Sequence, residues 1–194
     1  MNLPNKITTF RMVLVVVLVA LLLIPTSFNI ETPMIGTIPL EFFIGFFVFV
    51  VASFSDFLDG HIARKYNLVT TYGKFMDPIA DKLLVNTTLI ICSVIGPTRI
   101  PAIVVVIMVA RDIVVDALRL IAMEKGKVVA ASYFGKAKTV AQMIAISLVL
   151  LNSWPFTFNV LGLNFAQILC YVAGIISLLS GIDYLVKNRQ IFKE

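Results

Sequence analysis

The sequence predicts an all-α integral membrane protein of six transmembrane helices with both termini in the cytoplasm. Three observations carry that prediction. Of 194 residues, 59% are hydrophobic and only 14% charged, with a mean hydropathy of +0.98; soluble domains are roughly 45–50% apolar. The charged residues leave uncharged runs that approach the length of about 20 residues a membrane helix needs. Finally, Lys and Arg fall almost entirely into alternate loops.

The elements follow in order. Met1 to Thr9, with Pro4 and a hydroxyl start at Thr8, reads as a short interfacial piece. The first span lies between Arg11 and Glu31. It is followed by Pro25, Thr26, Ser27 and Phe28 without a small-x-small cleavage site, so it is not a simple cleavable signal. The second begins near Pro39 and is uncharged from Phe42 to Ser55; its phenylalanines, up to Phe54, are expected to face lipid or acyl chains. The third runs from Leu83 to Pro97 or Thr98. The fourth starts near Pro101 and contains Arg111, Asp112, Asp116 and Arg119. Thr139 to Ile182 is long enough for two spans, broken by Asn152-Ser153-Trp154-Pro155 and by Asn159, Gly162 and Asn164. Trp154, Phe156 and Phe158 read as an aromatic belt at the outer interface. The linkers are short and no repeat is visible, so residues 1–194 form a single membrane-embedded domain.

With six spans, Lys6, Arg11, Arg64, Lys65, Lys74, Lys125, Lys127, Lys136, Lys138, Lys187, Arg189 and Lys193 share one side, and the other side carries only Arg99. The positive-inside rule places that first side, and both termini, in the cytoplasm. It also accounts for the net charge of +5 without a nucleic-acid partner. Cys92 and Cys170 lie in apolar runs and read as buried thiols. Asp183 reads as a solvated or capping charge.

The stretch Ser55 to Lys82 holds Asp56, Asp59, Asp77 and Asp81. Asp56 and Asp59 share one helix face, and Asp77 and Asp81 share a face of the next helix. The turn at Lys65 to Thr71 makes these helices antiparallel, so their acidic faces can meet at the cytoplasmic end of the membrane. Carboxylates crowded near lipid repel one another and are costly. Hard divalent cations such as Mg²⁺, Mn²⁺ or Ca²⁺ resolve that repulsion, and a pair of them is a device for displacement at phosphorus. Gly60 and Gly73 let a nucleotide approach the backbone, and Arg64 can hold phosphate through paired hydrogen bonds. Singly, each residue reads as an ordinary helix-end charge or interfacial anchor; as a set at paired helical spacings they do not. His61, among the acids, reads as a bystander.

This window is similar to the signature of the CDP-alcohol phosphotransferases, Asp-x2-Asp-Gly-x2-Ala-Arg-x8-Gly-x3-Asp-x3-Asp. Asp56, Asp59, Gly60, Ala63, Arg64, Gly73, Asp77 and Asp81 match every fixed position and both spacers. The resemblance implies that family's six-helix fold, commonly a homodimer, and two bound divalent cations, Mg²⁺ or Mn²⁺. It implies Asp56, Asp59, Asp77 and Asp81 as metal ligands, and Asp81 also as the general base. Asp59, Gly60, Ala63, Arg64, Gly73 and Asp77 then line the CDP pocket. The implied reaction is attack of an alcohol on the lipid-linked phosphorus of a CDP-alcohol, with CMP leaving.

The fourth span suggests the acceptor. Arg111, Asp112, Asp116 and Arg119 fall within an arc of about 140° on a helix, and ionisable groups at such depth usually face a cavity. Ser132, Gly135, Lys136, Thr139 and Gln142 cluster on one side of the fifth. Arg111, Arg119 and Lys136 can together hold a dianionic phosphate; the alternative is an internal Arg–Asp network closing the bundle, with Lys136 and Lys138 as anchors. The start Asn2 to Arg11, Ala110-Arg111-Asp112, Leu118-Arg119 and Val128 to Thr139 resemble the bacterial phosphatidylglycerophosphate synthase branch of the family, which often has Glu where Asp112 stands. That resemblance implies CDP-diacylglycerol and glycerol 3-phosphate as substrates, and adds Thr8 and Arg11, with Ser132, to the acceptor or metal side. Cardiolipin synthase and inositol-phosphate transferase of the same family are rivals, as is a small cation transporter. A transporter would show repeats or broken helices at mid-membrane, and metal-dependent CMP release separates it from an enzyme.

Overall fold

The computed structural model describes residues 2–66, 70–125, 133–160 and 162–189. Six helices follow one another: α1 (Leu3–Ser27), α2 (Leu40–Lys65), α3 (Thr71–Val94), α4 (Ala102–Glu124), α5 (Tyr133–Leu150) and α6 (Phe165–Lys187). Two small antiparallel hairpins sit between them, β1 (Met34–Ile35) with β2 (Ile38–Pro39), and β3 (Asn159–Val160) with β4 (Leu163–Asn164).

Local chemistry sets the helix starts. The side chain of Asn2 accepts from the Asn5 amide, with Pro4 in the first turn, where a missing N–H costs nothing. The segment expected as a separate interfacial piece is therefore the opening of α1, capped at Asn2 rather than near Thr8. Thr70 caps α3 by accepting from Gly73 N at 3.0 Å. Asn164 and Gln167 form a reciprocal capping box on α6.

Three of the six helices, α1, α2 and α6, are long and apolar enough to cross a membrane by length and composition. The sequence expectation of six such spans is met only in part: α3, α4 and α5 are interrupted by charge, with Lys74, Asp77, Asp81 and Lys82 on α3, Arg111, Asp112, Asp116, Arg119 and Glu124 on α4, and Lys136 and Lys138 on α5. In the most apolar stretches of α1, α2 and α6 only 28%, 35% and 33% of residues are buried. Most of their apolar surface therefore faces outward, the reverse of a soluble helix.

The core is a continuous cluster in which Val15, Leu18 and Leu22 of α1 meet Phe42, Phe49 and Ala52 of α2, Leu84 and Leu89 of α3, and Ile146 and Val149 of α5. Phe42 and Phe49 are thus core residues, whereas Phe47 and Phe54 are exposed as expected. Trp154, Phe156 and Phe158 are exposed, and the Phe165 ring meets those of Phe156 and Phe158 in a tilted arrangement at 4.9 and 5.1 Å. Cys92 and Cys170 are free and buried, and Asp183 pairs with Lys187 one turn on.

At the distal end, where α1 ends and α2 begins, side chains tie the loops together. Thr98 donates to Asn152 Oδ1 at 2.8 Å and accepts from Asn164 Nδ2 at 3.0 Å, and Asn152 Nδ2 reaches Thr37 O at 3.0 Å. Gly96 in this region has φ +109°, and a Cβ there would stand 2.7 Å from Cε1 of buried Phe42. Gly96→Ala is expected to cost about 2–4 kcal/mol through backbone strain and overpacking. A lowered thermal midpoint of the purified variant in detergent is the check; an unchanged midpoint would show that the loop yields.

Candidate active site

The proximal end, where α1 begins and α2 ends, gathers the acids. Arg11 projects from α1 with its side chain 0% exposed. Its NH1 donates to Asp56 Oδ1, its NH2 to Asp59 Oδ2, and its Nε to Ser55 Oγ at 3.4 Å. One turn earlier, the Thr8 hydroxyl lies 2.7 Å from Asp77 Oδ1 and 3.3 Å from Asp59 Oδ2. A hydroxyl has one proton, so the shorter contact is the donated bond. Asn5 completes the seam by accepting from Thr70 Oγ1 at 2.8 Å. The start of α1 thus bridges the end of α2 to the start of α3.

This bridge decides the electrostatics. Asp59 is only 2% exposed, and a buried carboxylate is tolerable only when paired. Arg11 is that partner for both α2 acids. Among the described residues, no three His, Cys, Asp or Glu side chains stand as a ready-made ion ligand set. The donor chemistry nonetheless suits hard cations. Four carboxylates outnumber one guanidinium, and the Asp56 side chain keeps 38% exposure despite its ion pair. Gly73 also leaves room, since a Cβ there would stand 3.3 Å from Asn5 Oδ1 and Thr70 Oγ1 and 3.7 Å from Asp77 Oδ2. Asp56, Asp59, Asp77 and Asp81 are the residues that would hold divalent ions.

Asp81, one turn beyond Asp77, opens onto a polar cavity of about 200 Å³ between α3, α4 and α5. Arg111, Arg119 and Lys136 all line it, with Lys82, Thr139 and Gln142. Their situations differ. Arg119 Nε donates to Tyr184 Oη at 3.1 Å, and its guanidinium lies 5.6 Å from that ring's centre. Lys136 is exposed at the mouth. Arg111 is tied down, donating to Asp112 at 3.0 Å and Ser180 at 2.6 Å. Asp112, 6% exposed, also receives Lys138 Nζ at 2.7 and 2.8 Å, and Asp116 pairs with Lys82. The α4 polar stripe is therefore both an internal ion network and a cavity wall.

The expected residues are thus divided between two neighbouring places. Asp56, Asp59, Asp77, Thr8 and Arg11 form the carboxylate cluster, with Gly60 and Gly73 on the same helices. Asp81, Arg111, Arg119 and Lys136 line the cavity. Thr8 and Arg11 touch the acids and are not among the residues lining that cavity. Ser132 lies outside the described residues, as do the side chains of Ala63, Arg64 and His61. Sequence reasoning missed Asn5, Thr70, Lys82, Tyr184 and the buried pairing of Lys138. The signal for Lys138 was available: a mid-helix Asp112 needs a cation.

Beside the acids, an apolar groove of about 630 Å³ runs between α2 and α5, lined by Phe46, Phe49, Ser53, Met143 and Ser147 among others. Ser53 stands one turn from Asp56 on α2.

Comparison with known proteins gives a concordant result. The family model for CDP-alcohol phosphatidyltransferase matches residues 1–179. A Bacillus subtilis protein named CDP-diacylglycerol–glycerol-3-phosphate 3-phosphatidyltransferase is 40% identical over 192 residues, covering 99% of this chain and 97% of its own. Proteins of the same name from Rickettsia bellii and Mycoplasma genitalium are 35% and 36% identical, over 98% and 81% of this chain and 97% and 68% of theirs.

Proposed function

The chain belongs to the CDP-alcohol phosphatidyltransferase family, and from that premise we propose that it transfers the phosphatidyl group of CDP-diacylglycerol to sn-glycerol 3-phosphate, giving phosphatidylglycerol phosphate and CMP. The observation that carries this reading is one small cavity holding Asp81 together with Arg119 and Lys136. It offers a proton acceptor and an anion clamp to the same small molecule.

The acceptor's phosphate is held by Arg119 and Lys136 at the mouth, which aims its hydroxyl inward. Asp81 takes the proton of that hydroxyl. The hydroxyl oxygen bonds to the lipid-linked phosphorus, the bond between that phosphorus and the bridging oxygen breaks, and the electron pair leaves on CMP. Arg11 and Thr8 orient Asp56, Asp59 and Asp77. Two divalent cations, Mg²⁺ or Mn²⁺, when bound by the four aspartates would neutralise the diphosphate and the charge developing on CMP. Asp59, Gly60, Ala63, Arg64, Gly73 and Asp77 line the CDP side, and the apolar α2–α5 groove, one turn from Asp56, suits a donor acyl chain.

All six helices cross the bilayer in this reading. The distribution of Lys and Arg supports cytoplasmic termini, a multi-pass arrangement in the cell membrane and a cytoplasmic active site. Residues 1–194 act as one domain, and the working unit is a homodimer.

Purified protein in detergent, given CDP-diacylglycerol, Mg²⁺ or Mn²⁺ and one acceptor at a time, is expected to release CMP with glycerol 3-phosphate and to stop when EDTA is added. CMP release with phosphatidylglycerol or inositol phosphate instead would overturn the acceptor. In the same assay Arg119→Ala should raise the KM for glycerol 3-phosphate about 10- to 100-fold, the worth of a charge-assisted hydrogen bond. An equal rise in the KM for CDP-diacylglycerol would remove Arg119 from the phosphate clamp.

A further inference from the structure

We propose that Gln142 recognises the secondary hydroxyl of the acceptor, and so selects a vicinal diol phosphate over a simple hydroxyalkyl phosphate. The assignment rests on glycerol 3-phosphate being the acceptor and adds a residue to its site.

Gln142 lies in α5 and is only 2% exposed. Its amide Nε2 is buried and has no hydrogen-bond partner among the described residues. An unpaired buried amide is destabilising, and native structures rarely keep one without a use. The side chain is nonetheless part of the wall of the polar cavity that Asp81, Val85, Arg111 and Thr139 also line. Arg119 and Lys136 are exposed and mark the cavity mouth, whereas Gln142 and Val115 are buried and mark its floor. On α5 itself, Gln142 is six residues beyond Lys136, about 9 Å further along the helix axis.

That arrangement matches the acceptor's own chemistry. A phosphate held at the mouth sends the carbon chain towards the floor. The primary hydroxyl that loses its proton to Asp81 then has the secondary hydroxyl as its immediate neighbour. The Gln142 amide stands ready for that second oxygen, since an amide can donate to and accept from a hydroxyl. Arg111 Nε is also buried and unpaired, but removing Arg111 would also break its ion pair with Asp112. Gln142 therefore isolates hydroxyl recognition from charge.

A site built to bond a hydroxyl discriminates against the analogue lacking it, because its own polar group is left unpaired. The experiment compares sn-glycerol 3-phosphate with 3-hydroxypropyl phosphate, which has the phosphate and primary hydroxyl but no secondary one. CMP release is measured with CDP-diacylglycerol for the wild type and for Gln142→Met, which keeps length and removes the amide. Wild-type kcat/KM is expected to favour glycerol 3-phosphate by about 10- to 100-fold. In Gln142→Met the preference should collapse to within about threefold of parity. Its KM for CDP-diacylglycerol should not move, and its thermal midpoint without substrate should be equal or higher, since no internal hydrogen bond is lost.

A preference that survives in Gln142→Met, or is absent from the wild type, overturns the assignment. Gln142→Leu repeats the test in a second apolar background, and failure of both variants to fold would make Gln142 structural and overturn it equally. Wild-type protein that releases CMP only with a different acceptor would overturn the parent reading, and this outcome is visible before any variant is made.

Discussion

Asp81→Asn is expected to lower CMP release by about 10²- to 10⁴-fold, the usual contribution of a positioned general base, while leaving CDP-diacylglycerol binding and the thermal midpoint close to wild type. Asparagine keeps the size and shape of the side chain and removes its charge and its ability to take a proton, while Asp56, Asp59 and Asp77 remain to hold the cations and the donor. The structure favours a clean result, because no described residue hydrogen-bonds to Asp81, in contrast to Asp56, Asp59 and Asp77. Nothing in the proximal seam is therefore disturbed by the change. Turnover and donor binding must be measured on the same preparation. Turnover within threefold of wild type would remove Asp81 from the base role, and loss of donor binding in parallel would make it chiefly a ligand.

The second large effect is structural. Arg11→Met should cost about 3–5 kcal/mol, because it leaves the Asp59 carboxylate buried without its cation. For a chain of this size that is a fall of roughly 6–20 °C in the thermal midpoint. The same change leaves the acids of α2 and α3 facing one another with no positive charge between them among the described side chains. Mg²⁺ or Mn²⁺ should therefore raise the midpoint of Arg11→Met more than that of the wild type, since a ligand that binds only the folded state stabilises it. Arg11→Lys restores charge without the fork that reaches two carboxylates and should fall between them. A midpoint for Arg11→Met within 2 °C of wild type would mean that solvent already screens the acids.

These two experiments separate what the acids do from what holds them. Asp81 lines the cavity, and Arg11 is bonded to the cluster beside it. In the proposed reading, Gln142 recognises the acceptor's hydroxyl and Arg119 and Lys136 its phosphate, the first read as a kcat/KM preference between acceptors and the second as a KM for glycerol 3-phosphate.

Much of this was legible in the sequence because it is periodic or local. The apolar runs and the Asn152–Asn164 break predicted six membrane-spanning helices, and the described residues contain six helices, three of them long and apolar enough to cross a membrane. The paired spacings of Asp56 with Asp59 and of Asp77 with Asp81 follow from helix pitch alone. Where the expectation failed, a longer-range interaction was responsible. Phe42 looked like a lipid-facing residue, and it is core because its ring packs against the Gly96 turn that follows α3.

By itself, then, the sequence determined the helices, the pairing of acids along each helix and the chemistry those acids can perform, since neighbours on one helix are set by a fixed pitch. Only the tertiary structure decided which cation meets which acid. Arg11 reaches acids 45 and 48 residues away, and Lys138 reaches Asp112 across 26. Such partners are chosen by how helices cross and by the cost of leaving a buried charge alone, and neither quantity is written in the spacing of residues along the chain.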